Sequence, residues 1–237
     1  MKKLFLTTIT LMMLTSSAYA GGFSIGVTGA LLDVEASGNE TEVGSGTKTN
    51  SDGEVTSAEA SNDDVLIGSI YLEYMLADTS WAGEGNSWTF GVKHTPGTAD
   101  VSEDVQKRAD TAGTPGTDDD TGNREAQAEI ENYNNFYLDI PVYGQVFVKL
   151  GHSEIDVNTK ESSTATNGTA PTGYGNTSVD GFNYGVGFKG VTGNNLTWKV
   201  AYEEVDFDEF SLTSTTGNKI TADLDTKELN FSLGYQF

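Results

Sequence analysis

Leu229-Asn230-Phe231-Ser232-Leu233-Gly234-Tyr235-Gln236-Phe237 puts an apolar or aromatic side chain at every odd position and a small or polar one between. That is strand period, held to the last residue of the sequence. Terminal residues fray unless something ties them down, so the pattern predicts a final strand built into a sheet. The rest of the chain is read as what closes around it.

Seven earlier stretches alternate in the same way, at about 22–34, 63–76, 87–95, 129–140, 145–157, 178–189 and 195–208, and the last strand begins near Lys219. One face of each is apolar: Ile70, Leu72, Tyr74 and Leu76 in the second, Phe182, Tyr184, Val186 and Phe188 in the sixth. The connections alternate long and short. Long ones are expected at about 35–62, 96–128, 158–177 and 209–219, whereas Pro141-Val142-Tyr143-Gly144 and Gly190 to Asn194 are tight turns. An even number of strands with every long loop on one side is the plan of a membrane β-barrel.

Met1 to Ala20 has Lys2 and Lys3, an uncharged run from Leu4 to Leu14 and an Ala-Tyr-Ala end, the pattern of a secretory signal peptide. The expected organisation is residues 1–20 as a cleaved signal and 21–237 as one barrel. No later run of 18 apolar residues could form a spanning helix, and a barrel wall needs only every second residue apolar. There is no cysteine, so export through an oxidising compartment makes no disulfide. Of 13 Lys and Arg, two fall in the leader, leaving 11 against 35 Asp and Glu. Such an acidic chain excludes nucleic acid as a partner.

The signal, the eight strands, the one-sided long loops and the terminal aromatic strand resemble the small OmpA, OmpX and opacity-type outer-membrane barrels. The resemblance implies an all-β, eight-stranded antiparallel up-and-down transmembrane β-barrel that extends above the outer membrane. It implies that Phe231, Leu233, Tyr235 and Phe237 are the assembly signal read by the barrel-insertion machinery. It also implies contact with outer-membrane lipid and lipopolysaccharide, a monomer, no cofactor and no metal. The expected role is structural, with acidic loops available for adhesion or surface contact. The alternative is a narrow pore or a carrier of hydrophobic ligands, as in OmpW-like barrels.

Strand phase sorts the polar residues. Glu73, Lys93, Asp139, Lys149, Lys189 and Lys199 fall on the non-apolar face, which in a barrel is the lumen, and charges of both signs there must pair. At the long-loop ends the phase inverts. Beyond Trp198, Val200 and Tyr202 the outward face carries Glu204, Asp206 and Asp208, while Val205 and Phe207 turn inward. Leu32, Val34, Val65, Ile67, Ile155, Val157, Val179, Ile220 and Leu224 follow suit. A barrel continuing above the bilayer has a wet exterior, so these apolar residues are expected to plug the outer end of the lumen.

The motifs that resemble catalytic or ligand-binding signatures lack the geometry those chemistries need. In Gly151-His152-Ser153-Glu154 the His and Ser point to opposite sides of a strand, out of hydrogen-bond reach. His94 shares the outward phase of His152. Gly185 to Gly190 spells a dinucleotide fingerprint with no helix to follow it. Asp118-Asp119-Asp120 lacks the spacing of a calcium loop. Trp88, Phe188, Trp198, Tyr235 and Phe237 read as an interfacial aromatic girdle. No enzyme activity is expected.

Overall fold

A computed structural model describes residues 22–41, 55–76, 87–110, 121–167, 173–214 and 218–237. The expected signal peptide and the Asp118 to Asp120 run lie outside them. Ten strands follow in order: β1 (Gly22–Thr41), β2 (Val55–Met75), β3 (Thr89–Asp100), β4 (Gln106–Asp110), β5 (Thr121–Tyr143), β6 (Val146–Asn167), β7 (Asn176–Val191), β8 (Leu196–Phe207), β9 (Phe210–Thr213) and β10 (Lys219–Gln236). Eight of them pair in the sequence β1-β2-β3-β5-β6-β7-β8-β10, and β10 pairs back onto β1. The ring is closed and antiparallel throughout.

The terminal stretch does the closing. Ile25, Val27 and Gly29 stand opposite Tyr235, Leu233 and Phe231, and the Phe237 amide donates to the Phe23 carbonyl at 2.8 Å. On the other flank Leu233 faces Trp198 and Phe231 faces Val200.

Along each wall strand the side chains alternate between a buried interior and an exposed exterior. Ile25, Val27, Ile70, Phe90, Phe182, Val186, Phe188, Leu196, Phe231 and Leu233 all lie exposed on the outside. In water so much apolar surface would drive association; against hydrocarbon it is stable. Every backbone group of a closed ring can be met between neighbouring strands, as a bilayer demands. The eight wall strands form a closed antiparallel β-barrel with an apolar exterior suited to a bilayer.

The ladders run farther than alternation indicates. β1 continues to Thr41 and β2 begins at Val55, inside the expected 35–62 loop; β5 begins at Thr121 and β6 reaches Asn167. Two short strands, β4 on β5 and β9 on β10, occupy parts of the expected 96–128 and 209–219 loops. Outside the bilayer a two-sided wet strand needs no alternation, and its Ser, Thr, Asn and Glu content reads as loop although the backbone ladder persists.

Three irregularities sit near the upper edge of the apolar belt. β2 is bulged against β1 where Asp64 takes φ 59°, β3 against β5 at Pro96-Gly97 with Gly97 at φ 99°, and β5 against β6 where Asn132 takes φ 51°. The extra residue reverses the inward phase of β2 and β5, whereas β3 keeps its phase, with Thr95 and Ala99 both buried. On β5 the inward positions change from Tyr133, Asn135, Tyr137 and Asp139 to Ile130.

Candidate functional site

The lumen is filled in two tiers. Within the belt the buried charged residues, among those described, are four lysines and four carboxylates: Lys93, Lys149, Lys189 and Lys199 with Glu73, Asp139, Glu203 and Glu228. Lys199 bonds Asp139 at 2.6 Å and also Glu73, which accepts from the Tyr137 hydroxyl at 2.6 Å. Lys149 bonds Glu203 at 2.5 Å, and Lys93 joins Glu203 at 3.4 Å to Glu228 at 2.6 Å. Lys189 stands 4.0 Å from Asp139 and donates to the Ser87 carbonyl and the Thr89 hydroxyl, both at 2.8 Å. The charges cancel, which low-dielectric surroundings require.

Aromatic rings fill the space between the ion pairs. The Lys149 ammonium lies 3.8 Å from the centre of the Tyr137 ring, and Phe147 is wholly buried beside Lys189 and Lys199. These rings fit because glycine faces them: a Cβ on Gly91 would sit 2.2 Å from the Tyr137 ring. Toward the chain termini the filling changes to hydroxyls, with Tyr71 and Ser24 each 3.2 Å from Thr197.

Above the ions lies one apolar cluster: Leu32, Val34, Ala99, Val101, Ile130, Tyr133, Ile155, Val157, Val179, Val205, Phe207 and Leu224. Val65 and Ile67 pack against it. Tyr133 links the tiers: its ring lies 6.2 Å from that of Phe207 and 5.8 Å from the Lys93 ammonium. Farther out, the Tyr174 hydroxyl donates to Glu40 at 2.5 Å and the Asn218 amide to the same oxygen at 3.3 Å. That bond joins the ends of β1, β7 and β10 across the mouth. Burial and Glu40 together push the Tyr174 hydroxyl pKa upward.

The six lumen charges expected from phase are all in the network. Glu203 and Glu228 were not among them, although Glu203 shares the inward phase of Lys199 and Glu228 opposes outward Leu229; lying beside the acidic strand ends, they read as loop charge. Ile220 is a correction. It is half-buried on the β9–β10 hairpin and outside the cluster, four residues past Leu224, or about 13 Å along a strand. Ala99, Val101, Ile130 and Tyr133 join the cluster without having been expected. Ile130 lies past the phase reversal at Asn132, which no strict alternation can cross.

His152 is outward, with Nε2 3.3 Å from Asp180, while Ser153 is buried and donates to Asn135. His94 Nδ1 lies 2.7 Å from the Asn134 side-chain oxygen. Gly185 to Gly190 lies within strand β7. Phe231, Leu233, Tyr235 and Phe237 form one outward row.

No family model matches the chain, and no curated protein matches it. Among solved structures it is similar to Ail, the attachment invasion locus protein of Yersinia pestis, at 10% identity over 92% of this chain and 97% of that one, TM-score 0.39. It is likewise similar to the outer-membrane protease OmpT of Escherichia coli, at 10% identity over 91% and 97%, TM-score 0.40. These likenesses are loose; the barrel rests on its own closed ladder.

Proposed function

We propose that this protein is a non-conducting wall protein of the outer membrane that carries an acidic surface beyond the bilayer. One observation carries the reading: the lumen is occupied twice along its length, by the paired ion tier and by the apolar cluster. An ion would have to break both. Catalysis is not proposed, because the titratable lumen groups are enclosed and bound to one another.

The outward face supports the surface role. Above the belt, Glu35 of β1, Asp225 of β10 and Asp206 of β8 stand side by side in register. A shallow concavity of about 470 Å³ on the outside of β10, β1 and β2 is lined by Glu35, Glu59, Asp63, Asp223 and Asp225 among others. In this reading the loop end faces the cell exterior and contacts lipopolysaccharide and outside surfaces, the insertion machinery reads the row ending at Phe237, and the protein is a monomer. The carrier alternative draws support from the ladder between β2 and β3, which stops at Ile70↔His94 although both strands continue beyond it.

Planar-bilayer recording of the refolded protein tests the proposal. Silent membranes are expected at voltages at which an open barrel conducts. Sustained unit conductance in the unmodified protein would sink the non-conducting reading and leave the narrow-pore alternative.

A further inference from the structure

Between β2 and β3 the ladder ends low in the wall, while the ladders on either side of this pair continue upward. β1 and β2 pair from Gly22↔Met75 to Thr41↔Val55, and β3 and β5 from Thr89↔Asp139 to Asp100↔Glu129, each across one bulge. The ladder between β2 and β3 has six pairs and stops at Ile70↔His94. Above it the two strands touch at only the ends of the gap among the bonds described. The Ser69 and Thr95 hydroxyls meet at 2.6 Å, the Asn62 amide donates to the Asp100 carbonyl at 2.8 Å, and the Glu103 amide reaches the Ser61 carbonyl at 3.4 Å.

Between these ends lie Asp63 to Gly68 on β2 and Pro96 to Ala99 on β3, and both segments depart from regular strand. Asp64 and Gly97 take positive φ, and Pro96 has no amide hydrogen to offer a neighbour. Gly68 and Gly97 both border open space, since a Cβ on either would meet nothing within 4 Å. The result is a window about 13–20 Å tall, four residues on β3 and six on β2 at strand rise.

What lies on its two sides is chemically specific. Behind it stand Val65, Ile67, Ala99 and Val101, all part of or packed on the apolar cluster. In front, Leu66 is 79% exposed and stands in register with Leu31, itself opposite Leu229 of the belt. Asp63 and Asp64, just above Leu66, are exposed and polar. The window therefore straddles the edge of the hydrocarbon layer. A molecule with a polar head and an apolar tail meets both halves of it, the head also offering hydrogen bonds to strand edges that lack a ladder.

We propose that this window is a lateral port through which an acyl chain of an outer-leaflet lipid reaches the apolar cluster from the side. The tail lies against Ile67 and Ala99 while the head stays at the level of Asp63 and Thr98. Because the ion tier beneath is untouched, the port opens no path along the axis. Conductance and lateral access are thus separate measurements, and either can fail without the other.

The chain has no cysteine, which makes thiol chemistry a clean probe. Ala99→Cys and, on β7 across the lumen, Val179→Cys are placed separately in the refolded protein in phospholipid vesicles. Each is exposed to N-dodecylmaleimide dissolved in the bilayer or to a sulfonated maleimide in water. The Ala99→Cys thiol is expected to react with the alkyl reagent about tenfold faster than with the sulfonated one, and about tenfold faster than the Val179→Cys thiol does, a ratio equivalent to about 1.4 kcal/mol. Adding Ser69→Cys and Thr95→Cys and oxidising them ties the foot of the window and should remove that advantage; reduction should restore it. Ile67→Cys replaces Ala99→Cys if the latter does not refold. Faster reaction with the sulfonated reagent would mean access from water and overturn the port, as would equal rates at Ala99→Cys and Val179→Cys or no reaction at the window.

Discussion

Lys199 and Phe207 stand on the same inward face of β8, about 26 Å apart along the strand. One is surrounded by carboxylates and the other by Leu, Val and Ile. The difference comes from outside the barrel. Where lipid touches the wall the outward residues must be apolar, so alternation delivers polar residues to the inside, where they must find partners. Beyond the belt the exterior is wet, the outward residues become Glu204 and Asp206, and the inward face turns apolar. The solvent on one side of the sheet sets the chemistry of the filling on the other.

The sharpest way to break this comparison is to put the lower tier's chemistry into the upper one. Phe207→Asp deletes a buried ring, which by itself costs about 3–5 kcal/mol, and leaves a carboxylate with no cation in its tier. A large fall in the urea midpoint, followed by the mobility change of unboiled protein on gels, is the expected result. Asp206→Asn, one residue away but outward, should not destabilise; losing its repulsion with Asp225 should raise the midpoint slightly, by no more than about 1 kcal/mol. Equal effects from the two would mean that the inversion of phase has no energetic content.

The converse change tests the ionic tier. Lys199→Met removes the cation shared by Glu73 and Asp139, and stranding a buried partner costs about 3–5 kcal/mol. Adding Glu73→Gln and Asp139→Asn should recover much of that loss, because neutral partners no longer need the ammonium. A triple variant no more stable than Lys199→Met alone would show that shape, not charge balance, holds this tier together.

How much of this was legible depends on whether one rule covered the residue. Phase alone identified Lys93, Lys149 and Lys199 as inward and paired, and Leu233 and Tyr235 as outward, because the belt enforces period two without exception. It also located most of the upper cluster, since an inversion of polarity is as readable as the polarity itself. It failed at Ile130, where one extra residue at Asn132 changes the parity of β5. The strand extensions to Thr41 and Asn167 were hidden for a different reason. Backbone ladders leave no mark on side-chain pattern once both faces are wet. The seam between β2 and β3 was equally invisible, because it is a missing set of backbone pairs between stretches that each alternate normally.

The smallest effect is expected on the outer surface, where the wet exterior that organises the upper tier can be titrated directly. Asp225 of β10 has Glu35 of β1 and Asp206 of β8 as cross-strand neighbours, with Asp223 two residues away, and the nearby Lys227 is engaged with Glu35 at 2.7 Å. Partial burial, then the charges of Asp206 and Glu35, raise its carboxyl above the ordinary value of 3.8. A folded pKa above the unfolded one means that the protonated group favours the fold. That contribution is complete below the unfolded pKa and is lost as pH rises through the raised folded value. Asp225→Asn should therefore stabilise the barrel at pH 7, by about 0.2–1 kcal/mol for like charges set opposite one another, less the screening of an exposed site. The gain should shrink at high salt and vanish near pH 3, where the carboxyl of the unmodified protein is already neutral. Urea midpoints of the two proteins at pH 7 and pH 3, each at low and high salt, measure this; the same gain at both pH values would assign it to packing and remove charge repulsion as its cause.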